Sequence, residues 1–369
     1  MALTPPRVVV VKVGTSSVTD ERGAIDPAGL DKLAQEVAEL RSGGARVVVV
    51  TSGAIAAGLP HLGMGERRPS DVAVLQAVSA VGQGHLIGEW YRALGAQRLV
   101  GGQVLLAPHD FGDRSQYLHA RQTLGLLLDL GVVPVVNEND AVADDEIRFG
   151  DNDRLAALVS HLVGAELLVL LTDTPGLLTA DPRLDTEASL VEEIAEVDHA
   201  VEALAGGPGT DRGSGGMASK LAAAKIAAWS GVRAVIADAG RPGVLVDAAA
   251  GRPGVGTVVL PKARRMPARK LWIAFAVPAA GTVSVDQGAR RALVERGVSL
   301  LPAGVLAVEG GFEAEAAVSL AGPDGRVFAK GLVRHGAEQL RELAGRRSAD
   351  MPADVPTEAI HRDDLVLLP

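Results

Sequence analysis

Four stretches of this chain put reactive side chains where an ordinary turn or core would not need them. In "RVVVVKVGTSSVT" (7–19), Lys12 is embedded in a valine run, two residues before Gly14. A lysine there is costly to bury unpaired. Either it lies on an edge strand and reaches solvent, or its ammonium is aimed at a phosphate, with Gly14 letting backbone N–H groups approach. In "GSGGMASKLAAAKIAAW" (213–229), the loop Ser214, Gly215, Gly216, Met217, Ala218, Ser219 runs into a helix with Lys220 in its first turns. A cation near a helix N-terminus opposes the helix dipole, and a bound phosphate would account for both the glycines and the lysine. "TSGAIAAG" (51–58) repeats the theme, with Ser52 and Gly53 ending a strand and opening a helix; alone it is equally well a simple cap. Between Asn137 and Leu155, "NENDAVADDEIRFGDNDRL" holds seven carboxylates and three side-chain amides. A site for metal alone would favour carboxylates with few amides. The mixture, with Asn137, Asn139, Asp140, Asn152 and Asp153, suits a zwitterion that brings an ammonium to pair and a carboxylate to receive donors. Capping of the helix that begins near 151 explains Asp151, with Asp153 in the first turn, but not "NEND".

These groups share a position: each follows the end of an apolar run. "RVVVVKV" (7–13), "RVVVVT" (46–51), "RLVGGQVLL" (98–106), "VVPVV" (132–136), "ELLVLLT" (166–172) and "RAVIAD" (233–238) read as strands buried on both faces. Residues 27–42, 70–94, 114–130, 151–163 and 214–230 have helical spacing. The alternation predicts an α/β fold, a mainly parallel sheet sandwiched by helices. In such sheets ligands sit beyond the carboxyl ends of the strands, which is where "GTSSVT", "SGAIAAG", "NEND" and "TDTPGL" fall, the last bringing Thr172 and Asp173.

The chain's 369 residues carry a net charge of −9, unevenly spread: −11 over 1–261, +5 over 262–350 and −3 over 351–369. The sign change marks a boundary. It predicts a first domain over 1–261, a linker over 262–270 ("PKARRMPARK") and a small β-rich module over 271–369. In that module "LWIAFAV", "GTVSVD", "GVLAVEG", "AAVSLAG" and "GRVFAKGLV" read as short strands and "QGARRALVERG" as a helix. With no cysteine, structural disulfides and thiolate metal sites are excluded. No apolar run reaches the ~18–20 residues that span a bilayer, and "MALTPPRVVVVKVG" lacks a charged region before an apolar one. The expectation is a cytoplasmic protein with no membrane partner. His109, His119 and His161 stand singly and read as structural.

Taken in order, "VVKVGTSSVT", "VTSGAIAAG", "VVNENDAV", "FGDNDRLAALV", "LLTDTPGLLTADPR" and "GSGGMASKL" resemble the amino acid kinase family, specifically its branch acting on glutamate. The C-terminal "GTVSVDQGARRALVERGVSLLPAGV…VEGGF" and "HRDDLVLL" resemble a PUA domain. The resemblance implies the amino acid kinase fold plus a PUA barrel-like domain. It also implies ATP-dependent phosphorylation of the γ-carboxylate of L-glutamate, the first step of proline biosynthesis. By the same resemblance, Lys12 binds ATP phosphates, Lys220 stabilises the transferring phosphoryl group, and Asp153 orients both lysines. Ser52, Gly53, Asn137, Asp140 and Asn152 hold glutamate. Gly14, Thr172, Asp173 and the loop 214–220 contact the nucleotide. Mg²⁺ arrives with ATP, with no metal site of the protein's own. A homo-oligomer, proline as feedback inhibitor and glutamyl-phosphate reductase as partner are further implications.

Two departures stand out. Ser214 and Ser219 occupy positions where threonine is usual, and "GGFEAEAAVSL" lacks the Gly-Asp pair expected after the Phe. The rival readings are a kinase of the same fold acting on aspartate, N-acetylglutamate, carbamate or a nucleoside monophosphate, and an RNA-binding factor using the basic module. Few aromatics on a +5 module make a poor base-stacking platform.

Overall fold

The computed structural model describes residues 6–20, 23–65, 69–111, 113–142, 151–181, 185, 187–206, 216–263, 265–347, 351 and 355–368. The chain divides into two compact units, Met1–Arg265 and Met266–Pro369.

Valine and leucine runs become the sheet of the first unit: β1 (Val8–Val13), β2 (Arg46–Thr51), β3 (Gly101–Leu106), β4 (Val133–Glu138), β5 (Leu167–Thr172), β6 (Glu193–Ile194), β7 (Arg233–Asp238) and β8 (Thr257–Val259). Their order is β3-β4-β2-β1-β5-β7-β8-β6. All pairings are parallel except β7 with β8. Every residue of β1, β4 and β5 is buried, as a sheet covered on both faces requires. The connecting helices are α1 (Pro27–Ser42), α2 (Ala54–His61), α3 (Val72–Ala96), α4 (Arg114–Asp129), α5 (Asp151–Leu162), α6 (His199–Leu204), α7 (Gly216–Trp229) and α8 (Val244–Ala250). Caps fix where several begin: Asp26 accepts from Ala28 N with Pro27 in the first turn, and Asp71 accepts from Val74 N. α5 begins at Asp151 itself, one residue earlier than a cap at that position requires.

Strand alternation decides which face Lys12 meets. Val9, Val11 and Val13 enter the core with α1, α3 and α8. Val8, Val10 and Lys12 therefore point to the other face, where α5 packs on β1 and α7 packs on α5. β1 lies in the middle of the sheet, between β2 and β5, so the edge-strand reading of Lys12 is excluded.

In the second unit, β9 (Gly281–Val285), β10 (Val305–Gly310), β11 (Ala317–Ala321), β12 (Val327–Leu332) and β13 (Leu365–Leu367) form a sheet ordered β10-β9-β11-β12-β13. With them run α9 (Ala268–Leu271), α10 (Gln287–Arg296) and α11 (Ala337–Leu343). The expected strand "LWIAFAV" is helical instead: α9 passes directly into a wide π-type turn over Trp272–Ala276. A short apolar run does not by itself separate a strand from a buried helix. Ile273 and Ala274 pack there with Ala317, Leu332 and Val366, joined by Met266. The segment expected as a linker is thus divided, since Lys262 pairs with Glu196 of the first unit at 2.6 Å. No helix of the described residues is long and apolar enough to cross a membrane.

Candidate active site

The strand ends bring the chemistry together. Lys12, one residue before the end of β1, places Nζ 2.7 Å from Asp153 Oδ1. Asp153 comes from the first turn of α5. Its other oxygen, Oδ2, lies 3.5 Å from Lys220 Nζ and accepts from Ser219 Oγ at 2.6 Å, both from the first turns of α7. Lys220 Nζ also donates to Gly216 O at 3.3 Å. The side chains of Lys12, Asp153 and Lys220 are 6%, 1% and 8% exposed. One carboxylate thus serves two ammonium groups in a nearly water-free place, and among the described residues no second carboxylate pairs with either lysine.

The electrostatics follow. Burial pushes the Lys12 ammonium below its usual range; Lys220 adds to the fall, while the Asp153 charge opposes it. For Asp153, burial pushes upward, but the two lysines and the hydrogen bonds from Lys12 and Ser219 outweigh it and hold the carboxyl below its usual value. Gly14 has an ordinary extended backbone, so its role is not conformational. A Cβ there would stand 3.6 Å from Lys12 Nζ, so the glycine keeps open the space beside the ammonium.

Ser52 lies beside this group, its N–H donating to Val13 O at 3.1 Å. Gly53 adopts φ +110° as it turns β2 into α2, and a Cβ there would meet Val18 at 3.0 Å. The segment after β4 is organised separately. Asn137, 2% exposed, donates through Nδ2 to Gln83 Oε1 at 2.8 Å. Asp140 Oδ2 accepts from Ser79 Oγ at 2.6 Å. Asn152, adjacent to Asp153 on α5, accepts from Glu138 N at 3.2 Å. Two neighbouring residues of one helix thereby tie the lysine cluster to the end of β4. Thr172 Oγ1 donates to Asp173 Oδ1 at 3.2 Å, and Thr172 O accepts from Ala239 N, joining the ends of β5 and β7. Met217 and Ala218 occupy the first turn of α7. Ser214 and Gly215 lie outside the described residues. Ser79 and Gln83 were missed by the sequence reading, because a hydroxyl and an amide spaced i, i+4 in a long helix carry no signal of their own.

A cluster of this kind, at the carboxyl ends of parallel strands where the sheet order reverses about β1, carries a surplus of positive charge that can receive an anion. The chain belongs to the amino acid kinase family, whose profile matches residues 7–238; the PUA domain profile matches 281–354. Among its relatives are glutamate 5-kinases. That of Geobacter sp. (strain M21) is 44% identical over 98% of this chain and 97% of the relative. That of Mycobacterium avium (strain 104) is 44% identical over 99% and 98%. The solved carbamate kinase from Giardia lamblia bound to AMP-PNP shares the fold: 16% identity, TM-score 0.50, covering 69% of this chain and 99% of that one.

Proposed function

We propose that the protein transfers the γ-phosphoryl group of MgATP to the γ-carboxylate of L-glutamate, giving L-glutamyl 5-phosphate and ADP. The observation that carries this reading is the buried Lys12–Asp153–Lys220 cluster, two cations against one carboxylate. A surplus positive charge out of water calls for an anion to complete it, and a polyphosphate supplies one. Full-length similarity to glutamate 5-kinases supports glutamate as the acceptor.

The chemistry needs no general base. A glutamate side chain, with pKa ~4.3 in solution, is already ionised at neutral pH. Its oxygen forms the new bond to the γ-phosphorus while the bond from that phosphorus to the β–γ bridging oxygen breaks, ADP leaving with the electron pair. The barrier lies in bringing two anions together, so positioning and cations supply the rate. In this reading Lys12 and Lys220 take the phosphate charge. Asp153 with Ser219 holds the two lysines in register, Gly14 leaves the approach clear, and Thr172, Asp173 and residues 214–220 seat the nucleotide. Ser52, Gly53, Asn137, Asp140 and Asn152 seat the amino acid, with Asp140 as the ammonium partner. In this reading Mg²⁺ enters as part of the nucleotide substrate, held by phosphate oxygens and water.

The product is a labile acyl phosphate, so a reductase that consumes it, glutamyl-phosphate reductase, is the implied partner. Self-association, feedback by proline and a cytoplasmic setting belong to the same reading. The test is ATP-dependent hydroxamate formation in hydroxylamine with glutamate, aspartate and N-acetylglutamate in parallel. Signal with glutamate alone is the expected result; signal only with another acid would move the substrate and keep the fold.

A further inference from the structure

We infer that Gln83 is a positioning residue for the amino-acid substrate, acting through Asn137; the inference rests on the phosphoryl-transfer reading above. Asn137 lies at the carboxyl end of β4 and is 2% exposed. A primary amide presents donors at one end and an acceptor at the other. With Nδ2 donating to Gln83 Oε1 at 2.8 Å, the amide turns its carbonyl oxygen away from Gln83. Its carbonyl oxygen, Oδ1, is buried and without a hydrogen-bond partner among the described residues. Buried acceptors are nearly always satisfied, so the exception calls for a partner from outside the chain, and in a binding region a ligand's donor can supply it. The substrate class proposed above brings such a donor, an α-ammonium with three N–H groups.

The same face of α3 holds the neighbouring acceptor. Ser79, one turn before Gln83, donates to Asp140 Oδ2 at 2.6 Å. A neutral acceptor and an anionic one are thus both set by a single helix. That helix is tightly seated: a Cβ on Gly82, between the two, would stand 1.8 Å from Ala54 O of α2. α2 itself starts directly after Ser52 and Gly53.

The test compares Gln83→Met, which keeps the volume and loses the acceptor, with Gln83→Glu, which keeps an acceptor for Nδ2. For Gln83→Met the KM for glutamate should rise about tenfold or more, the usual range for losing a hydrogen bond to a charged group. Its kcat should stay within roughly threefold and the KM for ATP should not move. Gln83→Glu should restore the KM for glutamate to within roughly threefold of wild type. Equal rises in both KM values with a lowered unfolding midpoint, or a glutamate KM within about twofold of wild type in Gln83→Met, would overturn the proposal. If Gln83→Met does not fold, Asn137→Leu alone and with Gln83→Glu gives a second route. The Asn137→Leu change should raise the glutamate KM, and Gln83→Glu should then restore nothing; a restored KM would overturn it. A wild-type enzyme that turns over a different amino acid shows the substrate reading wrong, and the same variants measured on that acid still decide the role of Gln83.

Discussion

Lys12 and Lys220 converge on the two oxygens of one buried carboxylate, Asp153, at 2.7 and 3.5 Å. They come from elements more than 200 residues apart in sequence, and the carboxylate that joins them starts a third element. This bridge lets two like charges stand together in a dry place, where the proposed reaction brings the phosphate.

Removing one cation should therefore cost rate. Loss of a preorganised charge contact lowers turnover by ~10²–10³, and Lys220→Ala is expected to fall at least that far in kcat. Steady-state kinetics with saturating ATP and glutamate measures it. A variant keeping more than about a tenth of wild-type kcat contradicts the assignment.

Asp153→Asn tests the bridge through pH. Lys12 loses its proton below the 10.5 of a free lysine, chiefly because it is buried, and Asp153 opposes that fall. The alkaline limb of kcat/KM for ATP should lie below 10.5 in the wild type and shift further down in Asp153→Asn, where the opposing charge is gone. Coincident limbs in the two pH profiles would show that the carboxylate does not hold Lys12 in its charged form.

Much of this was legible in the residues themselves. The Val and Leu runs place β1, β2, β4, β5 and β7 within a residue or two, because continuous apolar character admits few other structures for them. Lys12 and Lys220 stood out because each contradicts its local context, whereas Asp153 suits the first turn of a helix and owed its role to the resemblance. Ser79 and Gln83 did not stand out, since a Ser and a Gln in a long helix are ordinary, and only the crossing of α3 past the end of β4 gives them partners. "LWIAFAV" misled because burial demands the same apolar composition of a strand and of a helix. The buried Glu36, which accepts from Gly243 N and Leu245 N at 2.9 Å each and so caps α8 from α1, left no local trace for the same reason as Ser79.

Three residues after Phe312, in the stretch that lacks the Gly-Asp pair, Glu315 adopts φ +69°, left-handed backbone that glycine enters without a Cβ penalty. Glu315→Gly should stabilise the protein by about 0.5–1 kcal/mol, the relief of strain less the added freedom of the unfolded chain. Urea unfolding followed by a signal from the second unit measures this. A lower midpoint in the variant would mean that contacts of the Glu315 side chain outweigh the strain.

His161 gives the first unit an acid-sensitive point. Burial, with Arg265 and Arg121 adding, depresses its pKa from 6.5 to about 4. A depressed folded value means the contribution is complete above 6.5 and is lost as pH falls from 6.5 toward about 4. The loss is at most about 3 kcal/mol, and less because the ring is only part-buried. Urea midpoints at about pH 7.5 and about pH 5 should differ less in His161→Gln than in the wild type. An unchanged difference would place the acid sensitivity elsewhere.

The central claim is that a carboxylate oxygen of the amino acid attacks the γ-phosphorus of ATP. The most direct measurement uses glutamate labelled with ¹⁸O in its γ-carboxylate, hydroxylamine to cleave the acyl phosphate, and mass spectrometry of the released phosphate. One ¹⁸O per phosphate is the predicted result, because the bond formed at phosphorus carries that oxygen and hydroxylamine attacks the carbonyl carbon. Unlabelled phosphate, released in step with ADP, would mean that water is the acceptor and would contradict the account.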